Sequence, residues 1–285
     1  MLKIDSLLSV RKEAAKIGGL RLAVLSPEDA EFMKAFKEAY EIGYITPVLV
    51  GDKRRVLSAA EEVDFDVTSF QKVFEPDREK IVHIGAEMLF SRTVDVVSKG
   101  QIPTSYVYRA MMKEEKERGE GRKLAVITLH EVKGRFVVIT DTGVNINPDW
   151  KAKLEVLKNA IFLLNVLGYD DPRVLILSAS REIEEDVKSK RDAESIRNKL
   201  NAHITIGSLI DCQSLPDIVL VPNLDTGNIL AKLDFFLNVT RCSLLLTSCG
   251  PVTIPSRSDD ASHIVDEVAV GVVVAHRLKG VEREI

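Results

Sequence analysis

Two rhythms alternate along the chain: short β-branched apolar runs, and longer stretches with apolar residues three and four apart. Residues 6–18 predict a leading helix, RLAVLS (21–26) a strand, and Ser26-Pro27-Glu28-Asp29 a helix start in which Ser26 caps and Asp29 closes a capping box. Phe32, Ala35, Phe36, Ala39 and Tyr40 then form one buried face that stops at Gly43, and TPVLVGD (46–52) is the next strand. Strand, helix, strand in that order predicts a parallel pair. A helix over Glu75–Arg92, a strand at 95–100 and a helix over Thr104–Glu117 continue the alternation.

The rhythm breaks at LAVITLHEV and RFVVITD, which flank Lys133-Gly134 and predict an antiparallel hairpin over 124–141. It resumes with a helix after Asn147-Pro148-Asp149 that buries Leu154, Leu157, Ile161 and Leu164, a strand over 173–180, and an exposed helix within 182–201. The stretch 217–232 carries a continuous apolar run at 218–221, a polar loop, and a helix over Asn228–Leu237. CSLLLTS (242–248) repeats the strand and leads to Pro255-Ser256-Arg257, and a last helix spans roughly 260–278. Two strand ends then deliver Asn, Asp, Ser and Arg to one crevice, where open α/β sheets build their ligand sites. The expected architecture is a two-lobed α/β fold, with 1–123 plus about 250–285 as one lobe and 124–249 as the other.

Composition narrows the classes. The 285 residues suffice for a large core, and 39 basic against 43 acidic side chains speak against a nucleic-acid binder. Three cysteines without C-x-x-C spacing fit neither a zinc site nor a disulfide framework, and suggest a reducing compartment. No apolar run reaches the ~18 residues of a membrane span. With no signal-peptide pattern, the expectation is a cytoplasmic protein with no membrane partner.

Several segments in register resemble the phosphate acetyltransferase and phosphate butyryltransferase family, the butyryl branch more than the acetyl. KGQIPTSYVYRAMM (99–112) is similar to its KG-x-x-x-T-x-x-x-x-RA segment, and VVITDTGVNINPD (137–149) to its strand ending in T-D. VPNLDTGNILAK and PSRSDD resemble its GN-I-x-x-K and S-R-x-D motifs. The resemblance implies reversible transfer of a short acyl group between coenzyme A and phosphate. It also implies a three-layer αβα fold of isocitrate/isopropylmalate dehydrogenase type, an active site in the interlobe cleft, a homodimer, and no bound cofactor or metal.

On that reading Arg257 offers a planar fork to the phosphoryl group, and Ser256 precedes a helix N-terminus that favours an anion. Asp260, with Asp259 second, is the candidate base for the thiol. Lys99, Gly100, Thr104, Asp141, Asn145, Gly227, Asn228 and Lys232 are candidate contacts to acyl-CoA or acyl phosphate. Several also have plainer roles: Ser256 a cap, Lys99 and Arg109 surface charges, Asp259 and Asp260 favouring a helix N-terminus, Asn228 a cap, Asp141 and Asn145 loop hydrogen bonders, Lys232 facing solvent. His130 and His203 carry no motif.

The sequence departs from the family where Pro103 precedes the threonine, where Asn223 stands for an aspartate, and where the acetyl branch's aspartate seven residues past the serine aligns with His263. A family segment is also shortened to GSLID at 207–211. A non-catalytic relative that binds coenzyme A is the alternative. A metal- and NAD-dependent β-decarboxylating dehydrogenase is opposed by Lys232, a cation where a metal ligand should stand.

Overall fold

The computed structural model describes residues 2–178, 187–212, 214–233 and 239–282. It shows a mixed α/β fold whose strands are mostly parallel. Contacts divide the chain into a larger unit, Leu7–Arg122 with Cys242–Ile285, and a smaller one, Met1–Ser6 with Lys123–Arg241.

The larger unit opens with α1 (Leu7–Ile17), β1 (Leu20–Leu25), α2 (Ala30–Glu41) and β2 (Ile45–Gly51), and β1 and β2 pair in parallel. Helix α2 forms because Phe32, Met33, Ala35, Phe36 and Ala39 share one buried face. Tyr40, expected on that face, is 41% exposed and instead meets the edges of Phe65 and Phe70. The expected Ser26 cap is also replaced. Asp29 is the cap, its carboxylate accepting the N–H of Glu31 and Phe32. Ser26 belongs to the end of β1, its N–H bonded to Val50 O, with a left-handed φ of 55°.

Next come α3 (Lys53–Glu62), β3 (Gln71–Phe74), α4 (Arg78–Phe90, capped by Asp77), β4 (Val96–Lys99) and α5 (Thr104–Arg118).

In the smaller unit β5 (Val126–Val132) and β6 (Arg135–Thr140) form the expected hairpin. Its two turn residues, Lys133 and Gly134, both have left-handed φ. Helix α6 (Trp150–Val166) follows its Asp149 cap and buries Leu154, Leu157 and Leu164, while Ile161 is only half-buried. Then come β7 (Val174–Leu177), α7 (Lys188–Arg197), β8 (Ile204–Gly207), β9 (Ile218–Leu220) and α8 (Leu224–Ala231). Residues 179–186, where the expected strand ends and the exposed helix begins, lie outside the described residues, as do 234–237 of the helix expected over Asn228–Leu237. Strand order is β5-β6-β9-β7-β8, parallel from β6 onward.

The chain re-enters the larger unit through β10 (Arg241–Leu246), β11 (Pro251–Thr253) and α9 (Ala261–Glu282). Sequence pattern ran the strand at 242–248 straight into Pro255. In the structure it reverses into the three-residue β11, antiparallel to β10 and parallel to β4. The larger unit's order is therefore β3-β2-β1-β4-β11-β10. Helix α9 packs on β4 and β11, with Val268, Ala269, Val272 and Val273 fully buried.

Candidate functional site

In the larger unit β2 lies on one side of β1 and β4 on the other. Successive connections thus leave the sheet in opposite directions at β1, the topology at which open α/β sheets place their ligand sites. Lys99, the last residue of β4, pairs with Leu25, and the N–H groups of Gly100 and Gln101 bond to Leu25 O and Ser26 O at 2.7 and 2.8 Å. A Cβ on Gly100 would stand 2.3 Å from Ser26 O, so this turn requires glycine.

The Lys99 side chain is buried, the residue 2% exposed, with its ammonium 3.4 Å from Gly100 O and 5.9 Å from the Phe32 ring centre. Burial drives its pKa down to about 8; Glu267 opposes that shift, Arg257 adds to it, and Asp259 opposes it. Thr104, half-buried, begins α5, whose N-cap Pro103 offers no side-chain acceptor.

Strand β11 brings up the other half. Thr253 Oγ1 donates to Ser98 Oγ at 2.8 Å, tying β11 to β4, and Ile254 N–H donates to the buried Glu267 carboxylate at 2.6 Å. The next turn is closed by Ser256 N–H to Asp259 Oδ2 (2.8 Å) and Asp259 N–H to Ser256 O (3.2 Å). Ser256 Oγ lies 3.0 Å from Ser258 Oγ. Arg257 is exposed, and among the described residues no carboxylate lies within ion-pair distance of it.

Asp260 behaves as a helix cap: it accepts the His263 N–H at 2.9 Å and contacts His263 Nδ1 at 2.8 Å. Those two bonds, the backbone one first, hold its carboxyl below the usual range. The turn therefore gathers Lys99, Gly100, Ser256, Arg257, Asp259 and Asp260 in one unit, with Thr104 five residues past Lys99.

The smaller unit holds the remaining candidates. Asp141 is buried at the end of β6, and its carboxylate accepts from the N–H of Val126, Gly143, Val144 and Asn145 and from Asn145 Nδ2. It is the hub of the 141–145 loop, and Asn145 also reaches Leu124 O at 3.0 Å. Gly227 permits α8 to approach that loop: a Cβ there would stand 2.1 Å from Asp141 O.

Asn223, not Asn228, caps α8, accepting from Thr226 N–H and Oγ1 at 3.0 and 2.9 Å. Asn228 sits within the helix, its Nδ2 3.4 Å from Thr142 O, and Lys232 is exposed at the helix end. His130 is buried against Ala231 O, and His203 pairs with Asp171 at the surface.

Sequence reasoning missed Glu267 and Asn223. Asn223 stands right after a strand-ending proline, a usable cap signal; a carboxylate inside an apolar helix run such as VDEVAVGVVV offers none. Among the described residues no group of His, Cys, Asp and Glu is placed to hold a metal ion, and no helix is long and apolar enough to cross a membrane.

The larger unit thus brings Lys99 and Arg257 to the carboxyl ends of the neighbouring parallel strands β4 and β11, the edge at which open α/β sheets place their ligand sites. The model of the phosphate acetyl/butaryl transferase family matches residues 67–206 of the chain. A phosphate butyryltransferase of Clostridium beijerinckii is 25% identical over 300 residues, taking in 96% of this chain and 98% of that protein. A phosphate acetyltransferase of Rhizobium meliloti is 26% identical over 284 residues, 91% of this chain and 90% of that protein. The crystal structure of a branched-chain phosphotransacylase from Enterococcus faecalis superposes with a TM-score of 0.74 at 19% identity, covering 90% of this chain and 99% of that one. At that identity the likeness speaks for the fold.

Proposed function

We propose that this protein transfers a short acyl group reversibly between coenzyme A and phosphate, with acyl phosphate as the partner substrate. The observation that carries the proposal is buried Lys99, its charge disfavoured first by burial and then by Arg257 against the opposing Glu267 and Asp259, at the carboxyl end of β4, next to the strand that leads into Ser256 and Arg257. Two cations held within Coulomb range repel each other, and an oxyanion between them relieves that repulsion.

In this reading Arg257 takes two phosphoryl oxygens in its fork, Ser256 Oγ donates to a third, and Lys99 supplies charge from beneath. The thiolate sulfur bonds to the acyl carbon, the carbon–oxygen bond to the phosphoryl group breaks, and phosphate leaves with the electron pair. Arg257 and Ser256 stabilise the charge that gathers on the leaving oxygen and the carbonyl oxygen. Asp260 contributes through His263: its carboxylate fixes Nδ1, leaving Nε2 to take the thiol proton. In the smaller unit, Asp141, Asn145 and Gly227 hold the 141–145 loop in shape.

The finer assignments belong to the same proposal. They are a two-lobed fold of isocitrate/isopropylmalate dehydrogenase type, a homodimer, and a cytoplasmic location, the last supported by three free cysteines.

The test is thiol release from butyryl-CoA and acetyl-CoA in the presence of phosphate. Turnover lowered about a thousandfold by Arg257→Ala and sharply reduced by Ser256→Ala is the expected result. Tight coenzyme A binding with no turnover for any acyl chain would make the protein a binding relative instead.

A further inference from the structure

We propose that Glu267, a buried carboxylate on α9, is a positioning residue for the transfer: from behind the sheet edge it keeps Lys99 charged where the phosphoryl group binds. The inference rests on the acyl-transfer reading and adds to it a residue that acts through another.

The placement comes from α9 and β11 together. One turn on from Glu267, Gly271 is pressed against the sheet, where a Cβ would stand 2.8 Å from Thr253 Cγ2 and 3.1 Å from Val96 Cγ1. Residues four apart share a helix face, so Glu267 is turned to the same strands. It is 1% exposed, and the Ile254 N–H aims its carboxylate with a bond of 2.6 Å. Strand β11 pairs with β4 as Val252 with Val97 and Thr253 with Ser98. The next residue, Ile254, therefore comes level with Lys99 on the neighbouring strand, roughly 4.8 Å away.

The ladder itself does not call for a charge at this point. The Ile254 N–H also meets Ser243 O at 2.9 Å, so an uncharged side chain at 267 would leave it a partner. Burying an anion is costly unless a cation answers it, and Lys99, 2% exposed, is such a cation. Asp266, the residue before, is also buried but turned to α1, where it holds Arg11 by two bonds of 2.5 and 2.8 Å. Two adjacent acids of one helix are thus divided between packing and the site.

The other groups around Lys99 come from α2 and from the turn. The Phe32 ring lies 5.9 Å from the ammonium, and neighbouring Glu31 is turned onto the Ala261 N–H at 3.1 Å. Arg257 and Asp259 face it from the turn, and Asp259 also accepts the Ser256 N–H. Burial lowers the Lys99 pKa to about 8; Glu267 is the foremost charge resisting that fall, Arg257 deepens it, and Asp259 resists it. Without the charge at 267 the ammonium gives up its proton at a lower pH.

The experiment follows Lys99 by NMR of protein labelled with carbon-13 at lysine Cε, the signal being identified by its loss in Lys99→Arg. The midpoint, near pH 8 in the parent, should fall by about one unit or more in Glu267→Gln, which keeps an oxygen for the Ile254 N–H. Glu267→Asp keeps the charge and should hold the midpoint nearer the parent's. In calorimetry, the rise of the phosphate Kd between about pH 6 and pH 8 should be about threefold to tenfold steeper in Glu267→Gln than in the parent. Adding Glu267→Gln to Lys99→Arg should leave that rise unchanged. A carboxylate with a merely structural role would lower turnover and melting temperature without moving the Lys99 midpoint. That result, or a midpoint that falls as far in Glu267→Asp as in Glu267→Gln, overturns the proposal. If the parent releases thiol from neither acyl-CoA, the acyl-transfer reading falls. The Lys99 midpoint needs no ligand, and still decides whether Glu267 holds the charge.

Discussion

The carboxyl ends of β6 and of β4 illustrate two uses of the same strand–loop–helix plan. After β6, Asp141 spends its whole carboxylate on backbone and side-chain donors of its own loop. After β4, Lys99 is equally buried, and burial disfavours its charge; Glu267 offsets part of that, and Arg257 adds to it. A buried ion whose donors and acceptors are matched fixes a shape; one that is pressed by a like charge is poised for a ligand. The pair separates scaffold from chemistry better than residue type does, since both places carry charged residues in polar loops.

The contrast can be broken at either end. Arg257→Ala should lower turnover about a thousandfold with the melting temperature unchanged, measured by thiol release and thermal unfolding. Asp141→Ala should do the reverse. Stranding several buried N–H groups should cost about 3 kcal/mol or more of stability, read in urea unfolding. His263→Ala should cut turnover about a hundredfold, and Asp260→Asn should lower it less while shifting the pH profile. If both variants match the parent, the thiol proton goes elsewhere.

The smallest effect sharpens the comparison. Lys99, with a pKa of about 8 in the unliganded protein, is charged below that pH and loses its proton above it. Phosphate favours the charged form, so binding takes up a proton near pH 8. The phosphate Kd should rise about threefold to tenfold between about pH 7 and pH 9. Lys99→Arg, which keeps its charge throughout, should flatten that rise in calorimetry. A slope common to both proteins would remove Lys99 from the site.

Much of this was legible in the chain. The β1–α2–β2 unit follows from apolar spacing, the β5–β6 turn from Lys133-Gly134, and the Ser256-Arg257 turn from its place after a strand and before a helix. What was not legible depended on competition among polar residues. Ser26 and Asp29 both qualify as caps, and the choice fell to Asp29 because Ser26 is held in the β1–β2 ladder. Asn223 and Asn228 compete in the same way at α8. Strand β11, three residues that open on Pro251, is too short to show any periodicity. Glu267 sits in an apolar run, and only the fold reveals that its carboxylate faces Ile254 N–H and Lys99.

Three residues of β11, locked to β4 by the hydroxyls of Thr253 and Ser98, set where Arg257 begins. A slip of one position in that short ladder would move the guanidinium by roughly 3.3 Å and turn the following side chains to the opposite face. An insertion or deletion between 251 and 256 could thus leave the folded protein intact by every spectroscopic measure and still silence it, because aim would be lost before stability.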